Sequence, residues 1–82
     1  MARASRAAAP AHLDRITFDP AVMGGRACLR GLRVTVATIV DQVAEGASID
    51  DVLADYPYLE REDVRQALAY AARLARDEVV PA

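Results

Sequence analysis

Lysine is absent from this 82-residue chain, cysteine and histidine occur once each, and no apolar run approaches a membrane span. Each absence excludes something. A single cysteine permits no internal disulfide framework. No Cys/His cluster offers a metal site, and a carboxylate metal centre would need acids gathered by a larger sheet than so short a chain can build. His12 lies in the N-terminal stretch, far in sequence from Cys28, so no Cys/His pair is available for nucleophilic catalysis. Cys28 reads as a small apolar residue, although Arg26 and Arg30 on its strand face would lower its pKa. No catalytic residue, metal or cofactor is expected. A membrane span needs roughly 20 apolar residues, and residues 1–12 lack the apolar centre of a secretory signal. The expectation is a cytoplasmic protein with no membrane association.

The cations are all arginine, and they are unevenly placed. Residues 1–40 carry six arginines against Asp14 and Asp19, giving +4; residues 41–82 carry four against ten acids, giving −6; the total is −2. Arginine's forked donors suit phosphate, guanine edges and buried carboxylates better than lysine does. The densest stretch is Gly24 to Arg33, with three glycines and three arginines in ten residues. Read as a strand, Arg26–Arg30 places Arg26, Cys28 and Arg30 on one face and Ala27 and Leu29 on the other. Arg33 follows just past the next turn. The ridge Arg26, Arg30 and Arg33 is then suited to phosphate or to an acidic protein surface; alternatively one of these arginines turns inward onto Asp41 or another helix acid.

Local signals place the elements. Leu13–Phe18 and Arg26–Leu29 read as two short strands, separated by turns at Asp19-Pro20 and Gly24-Gly25. Thr35 caps a first helix whose stripe is Val36, Ile39, Val40, Val43 and Ala44, and Gly46 stops it. Ser48, with Asp51 three residues on, opens a second helix that Pro57 ends. A third runs from about Glu60 to Asp77 with a stripe of Val64, Ala67, Leu68, Ala71, Leu74 and Ala75, and Tyr70 beside it. The fold class is mainly α: a three-helix, homeodomain-like helix-turn-helix with a short N-terminal β-hairpin or strand pair. Residues 1–13 read as a flexible tail, 14–78 as one domain and 79–82 as a C-terminal tail. So small a domain has a marginal core, and dimerisation is the common remedy.

From Ile16 to Ala72 the chain resembles the bacterial domain-of-unknown-function family 433. The resemblance rests on Asp19-Pro20, Gly24-Gly25-Arg26, Arg30-Gly31-Leu32-Arg33-Val34, Val36, Glu45-Gly46, Tyr56-Pro57, Glu62-Asp63-Val64 and Ala67-Leu68-Ala69-Tyr70. The family is similar to homeodomain-like helix-turn-helix proteins, and its members are described as antitoxins paired with a PIN-like ribonuclease toxin encoded beside them. The resemblance therefore implies a DNA-binding autoregulator that neutralises such a toxin. Two positions depart from the family pattern: Leu32 replaces a threonine, and Glu60 replaces a Thr or Ser cap of the third helix, a change that costs about 1 kcal/mol.

In the helix-turn-helix mode the third helix offers Arg61, Arg65 and Gln66 to the major groove of double-stranded DNA, while Arg26, Arg30 and Arg33 hold the backbone. The neighbouring acids Glu62, Asp63 and Asp77 compete for Arg61 and Arg65. The alternative is a protein-interaction adaptor that binds no DNA, using the same arginines with Tyr56, Tyr58 and Tyr70 as anchors. A homodimer is expected under the autoregulator reading.

Overall fold

In a computed structural model of the chain, which describes residues 13–77, three helices pack beneath a two-stranded antiparallel sheet. Of the flexible tail expected over residues 1–13, residues 1–12, with His12, lie outside the described residues, as does the C-terminal tail. Leu13, assigned to the tail from sequence, is instead fully buried in the core.

The sheet is minimal. Strand β1 (Ile16–Thr17) pairs with β2 (Cys28–Leu29) in the register Ile16 to Leu29 and Thr17 to Cys28. Between them, the Asp19 carboxylate accepts the Ala21 amide at 2.9 Å, the local turn that Asx residues favour. A tight left-handed turn over Met23–Gly25 follows, with φ of 51°, 68° and 84° at its three residues. The second strand is shorter than the sequence predicts: at its start Arg26 is taken up in capping the Met23–Gly25 turn, its amide donating to the Met23 carbonyl, and at its end Arg30 adopts φ 49° and Gly31 φ 71°. The Leu32 amide donates to the Leu29 carbonyl at 2.8 Å, so Leu29–Leu32 is a type I′ turn, the turn that needs positive φ at both central residues. It folds Val34-Thr35 back onto β2, with Leu29 donating to Val34 at 3.1 Å and Cys28 bridged to Thr35. Cys28 and Leu29 are consequently both buried, and the alternation expected for a one-sided strand is absent.

The helices begin and end where local chemistry dictates. Helix α1 (Val36–Ala44) is capped by Thr35, whose hydroxyl accepts the Thr38 amide at 3.1 Å. At its end Gly46 donates to Val43 and Ala47 donates to Gln42, each at 3.0 Å, the paired bonds of a Schellman motif. Gly46 sits at φ +106° with open space where a Cβ would lie. Gly46→Ala therefore costs backbone strain alone, about 1–2 kcal/mol, readable as a lowered midpoint in thermal unfolding. Helix α2 (Ile49–Asp55) carries the complete Ser48/Asp51 capping box, and α3 spans Arg61–Asp77.

The core draws on both strands and all three helices: Leu13 just ahead of the sheet, Ile16 and Leu29 from it, Val34, Val36 and Ile39 at and in α1, Val52 from α2, Leu59 from the connecting turn, and Val64 and Ala67 from α3. Helix α1 packs chiefly on α3. Two polar residues of α3, Asp63 and Gln66, share this buried face, and they build the site described next.

Candidate functional site

Asp63 occupies the third position of α3, where a side chain can turn back on the helix start. Its Oδ2 accepts the Glu60 amide at 2.7 Å. That bond supplies the N3 half of a capping box, so replacement of a Ser/Thr cap by Glu60 leaves this amide satisfied. The carboxylate is 0% exposed and needs further partners, since a buried unpaired charge is costly. Arg30 supplies three bonds: Nε at 2.9 Å to Oδ1 and 3.2 Å to Oδ2, and Nη2 at 2.8 Å to Oδ2. Arg15 adds Nη1 to Oδ1 at 3.1 Å while also reaching Glu60 at 2.7 Å. Arg30 Nη2 further donates to the Tyr58 carbonyl at 2.9 Å, pinning the turn between α2 and α3.

Arg30 thus turns inward onto a helix acid, as one of the sequence alternatives allowed, and that acid is Asp63 of α3. Its backbone conformation serves this pairing, since φ 49° at the turn aims the side chain at the start of α3. Burial pushes the Asp63 carboxyl up, but the bonds from Arg30, the Glu60 amide and Arg15 outweigh it and hold it below the ordinary carboxylate range.

The α3 residues proposed from sequence for the major groove are engaged within the protein. Arg61 pairs with Asp50 of α2. Arg65 grips Glu62 with two bonds, at 2.8 and 2.6 Å. Gln66, expected beside them on an outward face, is buried: its Oε1 accepts the Arg15 amide at 2.9 Å, and its Nε2 donates to Asp14 at 3.1 Å and Glu62 at 2.9 Å. Gln66 stitches α3 to the entry of β1 and presents no edge to a base. The bonds from Arg65 and Gln66 pull the Glu62 carboxyl from its ordinary 4.5 down to about 2. Both Glu62 and Asp63 are depressed in the fold, so the unfolded chain takes up protons first, and their contribution to stability, complete above the ordinary carboxylate range, disappears as pH falls. For Glu62 the loss runs from about pH 4.5 to about pH 2. Urea midpoints measured down this range are expected to fall continuously, and a flat profile would contradict the pairing.

Arg26 and Arg33 are exposed and form no ion pair among the described residues. The ridge of three is therefore a pair of outward cations plus one structural arginine. Between them, Cys28 is buried, and burial pushes its thiol up against the opposing pull of Arg33 and Arg26; Arg30, credited from sequence, is not among the groups that act on it.

The tyrosines separate. Tyr56 and Tyr58 meet edge to face at 6.2 Å on the α2–α3 turn, and Tyr58 is 55% exposed. Tyr70 is half-buried and packs edge-on against Phe18 at 5.9 Å. It also lines an open groove of about 530 Å³ between the sheet, α1 and the C-terminal half of α3, whose apolar walls include Phe18, Val36, Val40, Ala71 and Leu74. Sequence reading gave neither this groove nor the pairing of Arg15 with Asp63. The capping position of Asp63 was a usable signal; Arg15 carried none.

Among the described residues no group of three or more Cys, His, Asp or Glu side chains is placed to hold a metal ion, and no helix is long and apolar enough to cross a membrane.

The model of a family described as "Protein of unknown function (DUF433)" matches residues 16–71. An uncharacterised protein of Sinorhizobium fredii, y4eO, is 38% identical over 56 residues, which cover 68% of this chain and 25% of that protein. The chain thus matches about a quarter of the length of this curated relative. No solved structure matches.

Proposed function

This chain belongs to the DUF433 family, and from that premise we propose that it is a non-enzymatic interaction domain of antitoxin type, which neutralises a PIN-like ribonuclease partner by holding it at the α2–α3 turn. The observation that carries this reading is Tyr58. It is a large aromatic, 55% exposed, on a turn whose carbonyl Arg30 fixes. Rigid exposed tyrosines bury area on binding at little entropic cost. Tyr56 supports its ring from the side. The antitoxin role comes from the family resemblance; the turn is the chain's most prepared contact point for it. Cys28, buried with its thiol raised, is a core residue and offers no exposed nucleophile.

The test is co-expression with the product of the adjacent gene, followed by calorimetric titration. Tyr58→Ala is expected to weaken the complex by about tenfold or more, the scale of a central aromatic anchor. Unchanged affinity would remove the turn from the interface.

A second reading, binding of double-stranded DNA, is favoured by one observation: Arg26 and Arg33 are outward and unpaired among the described residues. It places phosphate on these two cations and assigns no base reading to Gln66. Fluorescence anisotropy with the upstream DNA of the gene, across a salt series, tests it. Arg26→Ala with Arg33→Ala is expected to flatten the log–log salt slope by about 2 if both neutralise phosphate.

A further inference from the structure

The apolar stripe of α3 continues past the core that explains it. Val64 and Ala67 are buried, Leu68 and Ala71 are half-buried, and Leu74 and Ala75 are exposed, Leu74 at 49%. The helical period is kept through all six positions, although nothing in the described fold covers the last two. A stripe maintained in sequence without an internal partner marks a face that is covered by something else. The face is also concave: Leu74 and Ala71 line the 530 Å³ groove together with Val36 and Val40 of α1 and Phe18.

We propose that this groove is the surface on which two copies of this chain pair. The argument for a second copy lies in the charges of its rim. Arg26 and Asp41 both line the groove, are both exposed, and neither has an ion-pair partner among the described residues. An acidic partner would be matched by arginines alone, and a basic one by carboxylates alone. One cation and one anion on a single patch are self-complementary under two-fold symmetry, where Arg26 of each copy meets Asp41 of the other. The pairing adds apolar contact to a domain whose own core is small. It uses the C-terminal half of α3, whereas Tyr58 precedes the first turn. Leu74 lies thirteen residues beyond Arg61, about 20 Å along the helix axis. Self-association is thus independent of the proposed partner contact.

The test is sedimentation velocity of the full chain from low to high micromolar concentration. The wild type is expected to dimerise. Leu74→Glu is expected to be monomeric with unchanged helical circular dichroism, since Leu74 supports no buried contact of the monomer. Arg26→Asp and Asp41→Arg should each weaken the dimer by about tenfold or more, because each sets like charges face to face at both contacts. Mixed in equal amounts, those two variants should re-form a dimer, since both contacts are then of opposite sign. A wild type that stays monomeric throughout would overturn the proposal, including one whose own terminal segments fill the groove. So would a Leu74→Glu dimer as tight as wild type, single charge reversals without effect, or a mixture that fails to pair.

Discussion

Asp63→Ala is expected to remove about 3–5 kcal/mol of stability, the cost of breaking a buried ion pair by deleting one partner. A domain of this size has about 5–15 kcal/mol in total, so the variant should be largely unfolded at moderate urea or slightly raised temperature. The cause is specific. Deletion leaves the Arg30 guanidinium, Arg15 Nη1 and the Glu60 amide without the acceptor they share. Asp63→Asn keeps the shape but presents an amide nitrogen to arginine donors, so it should recover only part of the loss. Asp55→Ala is the control: Asp55 is exposed at the C-terminal end of α2 and has no ion pair among the described residues. It should stay within about 0.5 kcal/mol of wild type. Urea denaturation of the three variants decides the matter. An Asp63→Ala loss no larger than the control would mean that the buried carboxylate is not the keystone its contacts suggest.

What the sequence made legible was whatever a few neighbouring residues decide. Thr35, Ser48 with Asp51, and Gly46 act within one turn of themselves, and all three do so in the structure. The Arg30 conformation could not be read this way. Arg-Gly at a turn accounts for Gly31, but an arginine with positive φ is held there by an acid 33 residues away. The strand reading therefore put Arg30 on an outward face with Arg26, and tertiary pairing reversed it. Gln66 escaped for a related reason. Apolar periodicity finds the buried face of a helix by its apolar residues, and here that face also holds Asp63 and Gln66, polar groups whose partners come from the hairpin. The end of the α3 stripe escaped differently: periodicity marked Leu74 and Ala75 as inward, and nothing among the described residues covers them.

Arg30 offers the sharpest separation of charge pairing from backbone strain. Arg30→Ala removes the three bonds to Asp63 and the bond to the Tyr58 carbonyl while keeping a Cβ at φ 49°. The side chain is 36% exposed and Arg15 still reaches Asp63, so the loss should be about 2–3 kcal/mol, below that of a fully enclosed pair. Arg30→Gly removes the same bonds but occupies positive φ without steric cost, and should be more stable than the alanine variant by about 1 kcal/mol. If alanine equals or exceeds glycine in urea denaturation, the left-handed turn at Arg30 is wrong. Both variants free the Tyr58 carbonyl, so amide hydrogen exchange at Leu59, whose N–H donates to Tyr56 across this turn, should quicken in each by a similar factor. Partner affinity should then fall in both variants by a similar factor and follow the loss of the turn's anchor, because the strain that distinguishes alanine from glycine lies in the hairpin and not at Tyr58.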